Sequence, residues 1–214
     1  MCSASSGVTP LLVFWRLNME SLSYKIRKRQ IEIISIPSIR DKEKMYLDYV
    51  SNHIDNVNKA WETMKKKDTC MKMIQKSTLP GKQTDETFDH FIEILDQQIQ
   101  AHDASKYKDA EWDAYRKNFY PIDDSEKKEN ETDFDFAWKH HYENNMHHWD
   151  FWYHSGIINE MTLAYVVEMC CDWIAMSMKF GGTADNWYEN NKKKIHLGKA
   201  QEEFAVKLLK VYYA

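Results

Sequence analysis

The 214-residue sequence predicts an all-α fold, and three observations carry the prediction. Glycine and proline are scarce, at six and four residues, whereas β-rich chains need many turn residues. Apolar residues recur at spacings of three and four over long stretches, the period of an amphipathic helix. Several of these stretches end in a stop signal: a lysine run, a proline or a glycine pair. The expected architecture is an irregular bundle of about six or seven helices.

In chain order, residues 19–37 mix basic and β-branched side chains and fit a short helix or strand closed by Pro37. From Asp41, the residues Tyr46, Tyr49, Val50, His53, Val57 and Trp61 share one helical face that runs to Lys65–Lys66–Lys67. Residues 68–84 contain Pro80–Gly81 and read as a loop. A second long helix starts near Thr84, buries Phe88, Phe91, Ile92, Leu95 and Ile99, and runs into His102–Asp103. A third covers 109–119 and stops before Pro121, and the acidic stretch 123–132 reads as an exposed loop. Helix is expected over 133–144, then a His-rich turn, then a strong helix over 159–180 that Gly181–Gly182 ends. Two more are expected at 184–194 and 199–212.

Composition narrows the function. With 43% hydrophobic and 29% charged residues the chain is globular, and it is long enough to bury a core without disulfides. A net charge of -4 gives no electrostatic case for nucleic acid. Thr9 to Trp15 is apolar but far too short to span a bilayer, and no basic residue precedes it. Cys2, Cys70, Cys170 and Cys171 contain no CxxC pair, which suggests reduced thiols in a cytoplasmic setting. The expected organisation is a 1–18 extension, disordered or not native, a 19–40 segment that packs on the domain, and one helical domain over 41–214.

The chemistry is expected where histidine and aspartate gather. Six of the nine histidines lie between His102 and His154. Neutral imidazole and carboxylate are ligands for divalent ions. His53 falls within an apolar stripe and should point inward. Asp172 lies in a largely apolar helix, where an unpaired carboxylate is costly. A metal ion would compensate it, as would a buried lysine or a neighbouring helix end. His140, His141, His147 and His148 fit either an exposed His-rich turn or a second metal site. Trp138, Trp149, Trp152 and Trp173 read as core aromatics before substrate platforms.

The order His53, His102–Asp103, Asp172 resembles the HD-domain superfamily of metal-dependent phosphohydrolases. The local His102–Asp103–Ala104–Ser105–Lys106 is similar to its cyclic-dinucleotide phosphodiesterase branch. That branch's glycine-rich signature is absent here, so cyclic dinucleotides are not the first expected substrate. The stretches AHDASKY, AWKHHYENNMHHW and CCDWIAMSMKFG also resemble a family of small uncharacterised bacterial and phage proteins, a domain of unknown function, over roughly residues 45–185.

The HD resemblance implies an HD-like bundle with His53, His102, Asp103 and Asp172 as metal ligands. It offers His140 or His141, with His147 or His148, for a second ion, and Asp103 as a bridge. The ion would be Mn, Co, Ni, Mg, Zn or Fe, one or two per chain. The implied reaction is metal-assisted hydrolysis of a small phosphorylated substrate, first of all a nucleotide. Asp103 and Lys106 are its expected catalytic residues, with Lys106 neutralising a phosphate and Lys139 and Lys179 weaker candidates for that work. Two alternatives stand beside it: a non-catalytic protein that binds metal or nucleotide and regulates, and an iron-dependent HD-fold oxygenase.

Overall fold

Pro37 opens the longest helix rather than closing the segment before it. A proline suits the first turn of a helix, where its missing N–H leaves no bond unmade. This computed structural model describes residues 22–81 and 88–214. Its elements are α1 (22–32), α2 (Pro37–Lys65), α3 (Asp68–Gln75) and α4 (Phe88–Gln100). A 3-10 turn at Ala104–Tyr107 leads to α5 (Asp109–Phe119), α6 (Asp124–Glu129), α7 (Glu131–Asn144) and the single turn α8 (Trp149–Trp152). A two-stranded hairpin, β1 (Tyr153–His154) with β2 (Ile157–Ile158), precedes α9 (Leu163–Phe180), α10 (Ala184–Asn191), a 3-10 turn at Lys192–Lys194, and α11 (Lys199–Tyr213).

The all-helical class holds, and the helix count rises because short helices, α3 and α6 among them, escape the periodicity. The 68–84 stretch contains α3, which buries Cys70 and Ile74 after the lysine run breaks the chain. The 123–132 stretch contains α6, whose first turn is capped by the Asp123 carboxylate accepting from Glu126 N at 2.9 Å. Glu126 in turn receives both terminal nitrogens of buried Arg116 at 2.8 Å each, which docks a six-residue helix that buries nothing itself. In eight residues or fewer, a 3.6-residue period has too few turns to declare itself. The second long helix is described from Phe88, and the expected start near Thr84 lies outside the described residues, as does the 1–18 extension. Within 19–40, the structure chooses helix for 22–32.

Two apolar clusters form, and α2 belongs to both. Its N-terminal half gives Tyr46, Leu47 and Val50 to a cluster with Ile31, Tyr107, Trp112, Tyr115 and Ala137. Its C-terminal half gives Val57, Ala60, Trp61 and Met64 to a larger cluster built around α9, with α3, α4 and α11. α9 packs along α2 and also touches α4, α10 and α11. Burial of large apolar side chains on this scale, about 1.5–3 kcal/mol each, is what holds the helices together. Cys70, Cys170 and Cys171 are free thiols inside the larger cluster. Among the described residues, no helix is long and apolar enough to cross a membrane.

Loops are fixed by a few contacts. Pro80 O accepts from Leu163 N at 2.8 Å, which ties the 76–81 loop to the start of α9. Gly81 has φ +87, and a Cβ there would sit 2.6 Å from the Thr162 Cβ. Ser155 and Gly156 both have positive φ, 51° and 86°, the signature of a type I′ hairpin turn. A Gly81→Ala substitution meets both positive φ and a clash, so it should lower stability by about 1–3 kcal/mol. Urea titration followed by circular dichroism measures this.

Candidate metal centre

Where the two clusters meet on α2, between Val50 and Val57, the buried polar residue is His53, 5% exposed. α9 faces it with Asp172, and Glu168 lies one turn earlier on the same helix. The end of α4 delivers His102 and Asp103, both buried. Asp103 has φ 56, ψ 16, a left-handed conformation that ends α4 and that aspartate tolerates better than most residues. That backbone turn lets two consecutive side chains enter the same centre. α7 supplies His141, and the turn after it supplies His147 and His148.

The donor atoms fall into two groups that share Asp103. On one side, His53 Nε2 lies 3.2 Å from Asp172 Oδ1 and 3.3 Å from both Asp103 Oδ2 and His102 Nε2. His102 Nε2 is 3.5 Å from Asp103 Oδ2 and 4.0 Å from Asp172 Oδ1. On the other side, Asp103 Oδ1 is 3.2 Å from His141 Nε2 and 3.5 Å from His147 Nε2, and His148 Nε2 lies 2.9 Å from His141 Nε2. Four donors at 2.0–2.2 Å from one tetrahedral ion stand roughly 3.3–3.6 Å from each other, so these spacings suit a metal. Among the described residues, three sets of ligand atoms lie close enough to hold an ion: Asp103, His141, His147 and His148; His53, His102 and Asp172; and His102, His147 and Glu168.

Hydrogen bonding behind these donor atoms decides which way their lone pairs point. His102 Nδ1 and His147 Nδ1 both meet Glu168 Oε1, at 2.9 and 3.2 Å, and Gln98 donates to the other oxygen of Glu168. His141 Nδ1 meets Glu111 Oε2 at 2.8 Å. A carboxylate accepts only, so in each contact the imidazole Nδ1 carries the proton. Where these rings are neutral, Nε2 is then a bare lone pair facing the oxygens of Asp103; at His147 burial favours that form, but Glu168 and Asp103 prevail and raise its pKa. Asp103 Oδ1 and His147 Nε2 are indeed buried polar atoms with no hydrogen-bond partner. Acceptors facing acceptors in a buried site are costly without a cation between them. The carboxylate–histidine arrangement is the one that orients metal-binding imidazoles.

Protonation follows the same logic. Burial and the nearby His147 hold His102 below its usual range despite its acidic neighbours, and His148 is pushed well below by burial, His147 and His141. Burial opposes ionisation of Glu168, but His147 and His102 outweigh it and bring its pKa down to about 2. Burial likewise opposes ionisation of Asp103 and Asp172, yet their cationic and imidazole neighbours hold both well below the ordinary carboxylate value. Burial also disfavours a charged His53, but the Asp103 and Asp172 carboxylates prevail and raise it to about 9.

The expected residues do not all arrive. His53, His102, Asp103, Asp172, His141, His147 and His148 converge. His140 does not: its Nδ1 bonds Glu111 Oε1 at 2.7 Å and its side chain is 37% exposed, on the outer side of α7. Lys106 places Nζ 2.6 Å from Asp103 Oδ2. Lys139 points to solvent near Glu143, away from the centre. Trp173 is core, whereas Trp138 flanks the site with its ring 5.1 Å from that of His148. The exposed His-rich turn is corrected for His141 and His147, which are buried to 0% and 2% exposure.

Glu168 and Glu111 were not anticipated. Glu168 had a signal, because it is a second carboxylate in an apolar helix, four residues before Asp172. Glu111 had none, because an acid in the first turn of α5 looks like an ordinary dipole partner.

The description of one protein family covers residues 42–211 of the chain: a family of unknown function, DUF5662. No curated protein and no solved structure matches the chain.

Two outcomes test the centre. His102→Ala and Asp103→Ala should abolish stoichiometric metal binding while the far-ultraviolet circular dichroism stays helical; Glu168→Ala should weaken binding roughly 10- to 100-fold. His53, raised from 6.5 to about 9, stabilises the metal-free chain fully below pH 6.5, and that contribution is lost as pH rises through about 9. A metal must displace the same proton, so metal affinity should instead rise across that window. Calorimetry at pH 7 in buffers of different ionisation enthalpy should show about one proton released per ion bound by the His53 group.

Proposed function

The chain belongs to the DUF5662 family, whose function is unknown, and we propose that it is a metal-dependent phosphohydrolase acting on a small phosphorylated molecule, a nucleotide first of all. The observation that carries the reading is the ring of imidazole lone pairs aimed at both oxygens of Asp103. One ion would be held by His53, His102 and Asp172, with Asp103 Oδ2 close enough to join them, and a second by Asp103, His141, His147 and His148. The resemblance to the HD superfamily rests on the order of His53, His102–Asp103 and Asp172 and points the same way. A divalent ion in such a site polarises a phosphoryl oxygen and lowers the pKa of a bound water.

The chain's own residues set the conditions for that chemistry. Glu168 fixes His102 and His147, and Glu111 fixes His141, so three ligands are oriented before any substrate arrives. Asp103 touches both donor groups and can hold two ions close together. Lys106 sits on the Asp103 oxygen of the first group, and its ammonium stays charged: burial disfavours the cation, but Asp103 and its neighbours prevail. It therefore offers a fixed positive charge beside the place where phosphoryl oxygens would lie. The Asp172 and Lys106 side chains are 14% and 12% exposed, against 2% for Asp103, so solvent reaches the centre past these two.

A second reading has its own observation. His53, His102 and Asp172 form a two-histidine, one-carboxylate group, a donor set that also suits non-haem iron and oxygen chemistry.

Elemental analysis of purified protein, beside an Asp103→Ala control, is the deciding measurement. The phosphohydrolase reading expects one or two equivalents of a divalent ion, lost in the control, and metal-dependent release of phosphate from a nucleotide panel. Lys106→Ala should then lower kcat/KM by roughly 10- to 1,000-fold while metal stays bound. Bound iron with oxygen uptake and no phosphate release would favour the oxygenase. Full metal with neither activity would leave a binding protein.

A further inference from the structure

Outside the centre, the surface beside Asp172 holds a cation without a carboxylate. Lys179 lies seven residues beyond Asp172 on α9, two turns along the same face. Its Nζ stands 3.6 Å from the centroid of the Tyr49 ring and 5.6 Å from that of Phe180. Among the described residues it forms no ion pair, although carboxylates are common on this protein's surface. Tyr49 is one turn before His53 on α2, so its ring lies between the lysine and the centre. The ring is braced by Phe119, stacked at 5.9 Å, and by Tyr120 at 6.0 Å. Lys179 is exposed, and its ammonium rests on the Tyr49 ring.

The inner cation cannot do the work of the outer one. Lys106 is paired with Asp103 at 2.6 Å and, on the phosphoryl reading, faces the reacting phosphoryl group. Among the described residues deeper in, the cationic His53 is likewise held by Asp103 and Asp172, which leaves a second substrate anion to the outer lysine. We infer that Lys179, steadied on the Tyr49 ring, is a specificity-determining residue that binds a second, non-reacting anionic group of the substrate, a carboxylate or phosphate about one to two helical turns from the scissile phosphorus. The inference rests on the phosphoryl-binding reading of the centre and adds the charge pattern of its ligand. A planar linker between the two anionic groups would lie along the Tyr49 and Phe119 rings.

Two non-hydrolysable probes separate the two claims. Benzylphosphonate carries one anionic group, and 4-carboxybenzylphosphonate adds a second at the far end of a ring. Each is titrated calorimetrically into the metal-loaded full chain. The carboxylated probe should bind roughly five- to tenfold tighter. Lys179→Ala should erase that preference and leave benzylphosphonate affinity unchanged, while Lys179→Arg should keep it. Equal affinities in the unsubstituted protein, or a preference that survives Lys179→Ala, overturn the inference and leave the phosphoryl reading standing. If benzylphosphonate itself fails to bind the loaded protein, the phosphoryl reading falls and this inference falls with it.

Discussion

The arrangement depends on one electrostatic conflict, the surrounding of a buried carboxylate by bare imidazole nitrogens. Asp103 Oδ2 meets Lys106 at 2.6 Å and His53 at 3.3 Å, and its Oδ1 faces the Nε2 atoms of His141 and His147. A protein without further positive charge there would turn one ring and form a hydrogen bond. These rings cannot turn without abandoning Glu168 and Glu111, which are themselves buried and need their donors. The conflict is therefore built in from behind, by acids that never reach Asp103. This is the reverse of an ordinary buried salt bridge, in which each charge is answered at once.

Much of the scaffold follows from holding that conflict in place. α2 and α9 bring His53, Glu168 and Asp172 together because each helix is apolar on the same face before and after its polar residue. α4 ends at Gln100, two residues before His102, and the left-handed turn at Asp103 redirects the chain without losing burial. α5 and α7 pair with each other and with the 3-10 turn that follows Asp103, so Glu111 and His141 meet over the motif. Asn145 donates to Ser105 Oγ at 2.7 Å and to His141 O at 2.7 Å, which fastens the end of α7 to the same turn.

The helical class, the long helices and the four residues His53, His102, Asp103 and Asp172 were legible because each leaves a periodic or local mark. His53 interrupts an apolar stripe, and Asp172 interrupts an apolar helix. The choice among His140, His141, His147 and His148 was not legible. His140 and His141 are adjacent, and only the rotation of α7 about its axis decides which one faces inward. Glu111 was hidden for the same reason: its role is set by α5 pairing with α7, a contact between elements that sequence spacing does not encode. α3 and α6 escaped because their helicity comes from docking, through Cys70 and Ile74 in one and through the Arg116–Glu126 pair in the other.

The position of His53 between two apolar clusters carries a consequence for cooperativity. α2 is the shared beam of both cores, and the polar centre is the joint at which one gives way to the other. An ion bound there links α2 and α9, from the larger core, to the turn after α4 and to α7, which close over the smaller one. Binding energy spent at that joint is shared by both cores, so ligation would tie the two apolar clusters to each other. The metal would then act as a keystone, and the loss of it would be felt as a loosening between halves rather than within either.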